Sequence, residues 1–141
     1  MSDNGEKRLS VKELLAEANA VVKAVSPSEA LQLLPRDDHV FVDLRDPREL
    51  DREGRLEGAF HAPRGMLEFW IDPESPYHKK IFAEDKTFVF FCAGGWRSAL
   101  AGKLGRDMGL KKVMHLEGGF SEWKKAGLPH VPGKPRDKEH A

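Results

Sequence analysis

The sequence contains very little cysteine and no excess of either charge. Its 141 residues include one cysteine, Cys92, which excludes an intramolecular disulfide and a cysteine-rich metal site. The lysines and arginines number 23, as do the aspartates and glutamates, so the net charge gives no reason to expect a nucleic acid or an anionic membrane as a partner. Any site for an anion must therefore be local, and an oxidised Cys92 has no second thiol in the chain to pair with.

Long hydrophobic runs are also missing. The apolar runs are far too short to span a bilayer, and residues 1–8 lead to no hydrophobic signal core. We therefore expect a soluble, cytoplasmic protein. The length suits a single domain with a sizeable core.

The most informative stretch is an apolar run that ends in the cysteine and then becomes rich in glycine. Thr87–Phe91 is β-branched or aromatic without alternation, which is typical of a strand buried on both faces. Gly94 and Gly95 allow a tight turn, and residues 98–108 then have helical spacing. The pattern predicts Cys92 at the carboxyl end of a strand, beneath the amino terminus of a helix.

This placement favours a reactive thiol. The thiolate is the nucleophilic form of cysteine, and the backbone N–H groups at a helix start, together with the helix dipole, stabilise an anion. Arg97 adds a permanent positive charge with forked donors. A cysteine after an apolar strand can be only a small core residue, but the two glycines and Arg97 favour a nucleophile in an anion-binding loop.

Four segments, in order, resemble the single-domain rhodaneses, sulfurtransferases that carry sulfur as a cysteine persulfide. The loop Cys92-Ala93-Gly94-Gly95-Trp96-Arg97-Ser98 resembles the family's Cys-x-x-Gly-x-Arg-Ser active-site loop. The other three segments are Asp43–Glu49, Gly54–Ala59 and Leu116–Trp123, the last followed by Gly127-Leu128-Pro129. One departure is Arg55, where the family often has histidine.

The resemblance implies both a fold and a reaction. The fold is α/β, with a five-stranded parallel sheet flanked by helices on both faces. In the reaction, Cys92 takes a sulfane sulfur from thiosulfate or another donor and passes it to cyanide or a thiol. The loop from Ala93 to Ser98, namely Ala93, Gly94, Gly95, Trp96, Arg97 and Ser98, would bind the substrate and stabilise the persulfide. No cofactor is expected beyond this covalent intermediate.

The rest of the chain divides into three predicted parts. Residues 1–25 form an extension whose amphipathic helix begins at the capping box of Ser10 and Glu13 and continues to Val25. This extra helix either packs on the domain or buries its apolar stripe against a second copy in a homodimer. Residues 26–130 form the rhodanese-like domain, and the charged, proline-containing residues 131–141 form a flexible tail.

Other polar residues are predicted to support the site. Asp43, Arg45 and Glu49 follow a buried strand, and Arg45 is expected to pair with Glu49 or Asp43 and fix the rim. The insert from Arg64 to Phe82 is either a cap on the core or a wall of the pocket, and within it Arg64 is best suited to meet an anion. His61 has no second ligand at metal-binding spacing, so no metal is expected.

Two alternatives to a turnover sulfurtransferase stay open. A cysteine phosphatase or arsenate reductase uses a similar anion-binding loop, but by family resemblance that loop has five residues between cysteine and arginine. Here four residues separate Cys92 from Arg97, which favours sulfur. The other alternative is a persulfide carrier or regulatory module that docks on a protein partner. The expected partners are small sulfur-containing anions and a thiol or protein acceptor.

Overall fold

The computed structural model describes residues 8–134, which form a parallel sheet between layers of helices. In chain order the elements are α1 (Val11–Val21), β1 (Lys23–Val25), α2 (Pro27–Leu33), β2 (His39–Asp43), α3 (Pro47–Glu53), β3 (Phe60–His61), α4 (Leu67–Ile71), β4 (Thr87–Phe91), α5 (Trp96–Asp107), β5 (Val113–Leu116) and α6 (Gly119–Lys125). Two 3₁₀ turns, Arg64–Met66 and Lys80–Ala83, flank the segment around α4. The strand order is β1-β5-β4-β2-β3, and every pairing is parallel. The predicted five-stranded α/β fold is confirmed.

The central strands divide the apolar core into two layers. Alternate side chains of β4 point to opposite faces, so Phe88 and Phe90 pack with α4 and α5, whereas Val89 and Phe91 pack with α2 and α6. All four are at most 2% exposed. This burial on both faces explains why the strand sequence is apolar throughout rather than alternating.

Three helices begin at capping boxes, and the first of them is the one predicted at Ser10 and Glu13. Ser10, Ser26 and Asp46 each accept a hydrogen bond from the backbone N–H three residues later, and the side chain of the glutamate at that position accepts one from the backbone N–H of the cap residue. These reciprocal bonds satisfy amides that a helix start otherwise leaves without partners. Gly54 ends α3 with a positive φ of 94°, a conformation that favours glycine.

The predicted extent of the first helix is wrong. α1 ends at Val21, and residues Lys23–Val25 instead form the edge strand β1, paired with Met114–Leu116 of β5. The edge of β5 offers unpaired backbone groups, and Val25 gains almost complete burial by turning into the sheet. If the helix continued, the backbone groups at the edge of β5 would stay unpaired and Val25 would lose this burial.

The α1 helix packs within the chain, against α5. Ala18 is fully buried, and the adjoining Val22 is 4% exposed. Leu9, Val11 and Val21 remain exposed at the ends of the helix. The homodimer through this helix stays a prediction.

The carboxyl-terminal segment is not loose throughout. Arg55 and Val131 exchange backbone hydrogen bonds of 2.9 and 2.8 Å as an antiparallel bridge, and Lys134 N–H donates to the Asp51 carbonyl. The prediction of a flexible tail from residue 131 is therefore wrong for 131–134, because backbone groups in the last turn of α3 and just after it supply hydrogen-bond partners for this segment. The remainder of that predicted tail, like residues 1–7 of the predicted extension, lies outside the described residues.

The insert between Arg64 and Phe82 covers the core beside β2 and β4. Leu67, Ile71 and Phe82 are buried, and the Phe82 ring stacks on Phe88 with centroids 5.4 Å apart. Phe69 remains 52% exposed. The cap interpretation of the insert thus accounts for its buried side chains.

Candidate active site

Cys92 directly follows β4 and lies beneath the start of α5. Its side chain is only 1% exposed, and its Sγ accepts a hydrogen bond from the Gly95 N–H at 3.1 Å. Gly95 is the residue before the helix and has a φ of 108°, which lets the backbone turn back toward the sulfur. The sulfur therefore lies at the edge of the core but contacts a main-chain donor at a helix start, where an anion is stabilised.

The start of α6 holds the Cys92 loop from the other side. Phe120 N–H donates to the Cys92 carbonyl at 2.8 Å, and Ser121 N–H donates to the Ala93 carbonyl at 3.0 Å. A Cβ on Gly119 would come within 2.5 Å of the Cys92 oxygen and 2.6 Å of the Ala93 oxygen. Only a glycine at this position allows α6 to approach the loop so closely.

A bidentate ion pair joins the Cys92 loop to α3. Arg97 Nη1 and Nη2 donate to the two carboxylate oxygens of Glu49 at 2.8 and 2.9 Å. These hydrogen bonds lower the pKa of Glu49 to about 2 and raise the pKa of Arg97 above its usual range. The Arg97 guanidinium thus binds Glu49 and holds the loop against α3. It also places a positive charge near Cys92.

A second ion pair is buried beneath the rim. Arg45 Nε and Nη2 donate to the Asp43 carboxylate at 3.0 and 2.7 Å, and Nη2 also donates to the Gly54 carbonyl. Both residues are 1% exposed. The guanidinium carbon lies 4.3 Å from the centroid of the Phe120 ring, a favourable arrangement for a cation. Of the two partners predicted for Arg45, Asp43 is the one it contacts, whereas Glu49 pairs with Arg97.

A buried polar chain behind Cys92 was not predicted. Ser98 Oγ lies 3.7 Å from Cys92 Sγ and 3.0 Å from His115 Nδ1. Ser98 is fully buried and His115 is 4% exposed, and burial lowers the pKa of His115. The available signal was a histidine within the apolar strand Val113–Leu116, which suggests neither a partner nor a role without the fold.

These elements match one known family over most of the chain. The family model of the rhodanese-like domain matches residues 26–126. The chain belongs to the rhodanese-like domain family. The resemblance noted in the sequence is therefore confirmed.

Solved structures of similar proteins carry different descriptions. This rhodanese-like domain is 52% identical, with a TM-score of 0.84, to a Rhodopseudomonas palustris protein of unknown function described as a possible tyrosine phosphatase, and the match covers 90% of this chain and 98% of that one. It is 33% identical, with a TM-score of 0.66, to the polysulfide-sulfur transferase homodimer of Wolinella succinogenes, covering 92% of this chain and 90% of that one. The family model and the Wolinella match support a sulfurtransferase-type protein without defining its substrate.

Curated relatives are often longer than this rhodanese-like domain. An uncharacterized Synechocystis protein is 32% identical over 120 residues, which is 85% of this chain and 62% of that protein. The chain spans only 33% of a tRNA uridine(34) hydroxylase of Cronobacter sakazakii that it also matches. The same domain thus occurs within larger proteins.

The remaining predicted site residues lie around the loop in different ways. Trp96 is 67% exposed, as expected for a residue at the rim. Arg64 donates through Nη1 to Glu68 at 2.9 Å, so its charge is paired with a carboxylate in the first turn of α4. A Cβ on Gly94 would meet nothing within 4 Å, so the loop is open at this residue. A cavity of about 390 Å³ between α3 and α6 reaches the loop at Ala93.

Two further features concern the whole of residues 8–134. Within this range, no three histidine, cysteine, aspartate or glutamate side chains gather as a metal site. None of the helices in the range is both long enough and apolar enough to cross a membrane.

His61 Nε2 lies 2.6 Å from the Arg45 carbonyl and thus helps to hold the rim.

Proposed function

We propose that the chain is a sulfurtransferase that moves a sulfane sulfur from a small anionic donor, such as thiosulfate or polysulfide, to a thiol or cyanide through a persulfide on Cys92. The observation that carries this proposal is the contact of Cys92 Sγ with the Gly95 N–H at the start of α5, inside a loop of six residues that ends at Arg97. A thiolate at this position has a main-chain donor and a nearby cation.

The proposed reaction has two balanced halves. In the first, the Cys92 thiolate attacks the outer sulfur of thiosulfate, the sulfur–sulfur bond breaks, and sulfite leaves with the bonding electron pair. In the second, cyanide or a thiolate attacks the outer sulfur of the persulfide, and Cys92 leaves as a thiolate again. No oxidant or reductant is consumed when cyanide becomes thiocyanate.

The loop residues serve this chemistry as a group. The Gly95 N–H stabilises negative charge on Sγ, and the open space at Gly94 leaves room for the donor. Arg97 favours an anionic donor electrostatically while Glu49 holds its guanidinium in place. Trp96, exposed at the rim, is suited to contact a protein acceptor.

The Wolinella match and the length of the Cys92 loop favour a sulfane donor over a phosphate ester. The Wolinella relative, which spans nearly the same length, is described as a polysulfide-sulfur transferase. The loop here has four residues between cysteine and arginine, and a phosphate needs room for its oxygens against several amides. The description of the Rhodopseudomonas protein as a possible tyrosine phosphatase makes phosphate-ester hydrolysis the rival to be tested.

Intact-mass spectrometry tests the first half of the reaction. After incubation with thiosulfate, and in parallel with polysulfide, the protein is expected to gain the mass of one sulfur atom, and cyanide is expected to remove it. Cys92→Ser is the matched control, since it keeps the size of the side chain and removes the nucleophile. An unchanged mass with both donors would contradict the proposal.

Two further assays separate the alternatives. Repeated release of thiocyanate from thiosulfate and cyanide identifies an enzyme, whereas a carrier takes up one sulfur and delivers it only to a specific protein. Hydrolysis of an aryl phosphate that disappears in Cys92→Ser would favour a phosphatase and reverse the order of the two hypotheses.

A further inference from the structure

The polar chain behind Cys92 is closed off from solvent and has few ways to arrange its hydrogens. Ser98 Oγ lies 3.7 Å from Cys92 Sγ, 3.0 Å from His115 Nδ1 and 3.2 Å from the Gly95 carbonyl oxygen. A serine hydroxyl has one hydrogen to donate and two lone pairs that accept. The position of the hydrogen on His115 therefore decides what Ser98 can offer to Cys92.

The surroundings of His115 determine which ring nitrogen carries that hydrogen. His115 Nε2 is buried and has no hydrogen-bond partner among the described residues. Its neighbours across the sheet are Ala24 of β1 and Phe90 of β4, whose side chains are apolar. Buried N–H groups without an acceptor are rarer than unpaired acceptors. Because burial also lowers the pKa of His115, the ring is neutral, and its hydrogen belongs on Nδ1.

With that hydrogen on Nδ1, His115 donates to Ser98 Oγ, and the Ser98 hydrogen stays available. It points to the Gly95 carbonyl while Cys92 is a thiol, and it can rotate to Sγ when Cys92 becomes a thiolate. If Nδ1 were bare, it would accept the Ser98 hydrogen, and the thiolate would keep only the Gly95 N–H.

We propose that His115 is a positioning residue for Cys92: its Nδ1–H fixes Ser98 so that the Ser98 hydroxyl becomes the second hydrogen-bond donor to the thiolate. This inference rests on the proposed function, in which Cys92 is the nucleophile. His115 gains and loses no proton in this arrangement, since only the serine hydroxyl rotates.

The charged groups that act on this polar chain stay in place when His115 is replaced. Glu117, just beyond β5, favours the protonated ring, but burial outweighs it. Arg97 interacts electrostatically with Cys92 from α5. The strands on either side of His115 contribute Ala24 and Phe90, which carry no charge. A change in thiol reactivity in His115 variants therefore reports on hydrogen bonding.

The test is the rate at which iodoacetamide alkylates Cys92 across a range of pH, compared between His115→Leu and His115→Asn. The leucine cannot hold Ser98 Oγ by a hydrogen bond, so the hydroxyl can turn away from Sγ toward the Gly95 carbonyl, and the alkylation rate at neutral pH is expected to fall, by up to about tenfold, with the pH profile displaced upward. The asparagine can place an N–H where Nδ1–H stands, so its rate is expected to stay within about twofold of the parent.

Ser98→Ala and the double variant with His115→Leu complete the design. Because His115 acts through Ser98, the single serine variant should lose at least as much as His115→Leu, and the double variant should lose no more than the serine variant. Additive losses, or an unchanged rate in His115→Leu, would overturn the proposal. Circular dichroism and thermal unfolding establish that each variant is folded.

Nitrogen NMR of the unaltered protein gives a readout that needs no variant. The proposal expects the hydrogen of His115 on Nδ1, and finding it on Nε2 would overturn the proposal even if no His115 variant folds. Alkylation needs no sulfur donor, so it separates this inference from the proposed function. A failed persulfide assay with the expected alkylation pattern would count against the function alone.

Discussion

Replacing Glu49 with glutamine tests how much the ion pair between the Cys92 loop and α3 contributes to stability. Glutamine keeps the size of the side chain and an oxygen to accept the Asp46 N–H, which Glu49 accepts at 3.1 Å. What it removes is the charge opposite Arg97. The variant therefore isolates the electrostatic part of the contact from the helix cap.

The pKa of Glu49 gives the magnitude. Its pKa falls from 4.5 to about 2, chiefly through the Arg97 hydrogen bonds. At about 1.4 kcal/mol per unit, this corresponds to at most about 3.5 kcal/mol. Because the Arg97 side chain is 39% exposed, solvent screens the pair, and we expect a loss of about 1 to 2 kcal/mol in the free energy of unfolding at neutral pH.

The pH dependence provides the sharper test. A depressed carboxyl pKa stabilises the folded state above the unfolded pKa, and that stabilisation disappears as the pH falls toward the folded value. Urea unfolding followed by tryptophan fluorescence should thus show a difference between parent and Glu49→Gln that is complete above about pH 5. The difference should shrink below a pH of 4.5, be small at a pH of about 2 and vanish only below that value.

A matched exposed pair serves as the control. Asp107→Asn breaks the contact between Lys103 and Asp107, whose side chains are 37% and 61% exposed, and should change the free energy of unfolding far less than Glu49→Gln does. If Glu49→Gln destabilised the protein equally at neutral and acidic pH, the effect would come from shape rather than charge. That result would refute the electrostatic account of this contact.

Two further predictions concern the supports of the loop. Gly119→Ala places a Cβ within 2.5 Å of the Cys92 oxygen. It should destabilise the protein far more than Gly58→Ala, whose Cβ would meet nothing within 4 Å and which should cost about 1 to 2 kcal/mol through its positive φ alone. Equal losses in urea unfolding would show that backbone strain at a positive φ explains both. Arg45→Met leaves the buried Asp43 carboxylate without a counter-charge and should cost about 3 to 5 kcal/mol. Arg36→Met, in an exposed pair with Asp38, should cost much less because solvent screens that pair. Similar values for the two arginine variants would contradict the buried pairing.

Local signals in the sequence were sufficient for most helix starts and for the strand that leads to Cys92. The capping residues Ser10, Ser26 and Asp46 act within four residues of themselves, so their effect is readable without the fold. The apolar run Thr87–Phe91 likewise predicts a strand buried on both faces. The position of Cys92 follows from its neighbours in the chain.

Segments that depend on distant partners were predicted poorly. Lys23–Val25 is a strand because β5 pairs with it, and its own residues continue the helical spacing of α1. Residues 131–134 are held in place because Val131 forms an antiparallel bridge with the backbone of Arg55. In both cases a hydrogen-bonding edge elsewhere in the fold decides the local conformation.

The sequence by itself determined where the cysteine would lie, which loop surrounds it and which end of the sheet carries the site. Only the tertiary structure decided how the polar groups pair: Glu49 with Arg97 across 48 positions, Asp43 with Arg45, and Ser98 with His115. Backbone conformation follows largely from neighbouring residues, whereas the partner of a buried charge or hydroxyl depends on which elements the packed sheet brings within hydrogen-bonding distance.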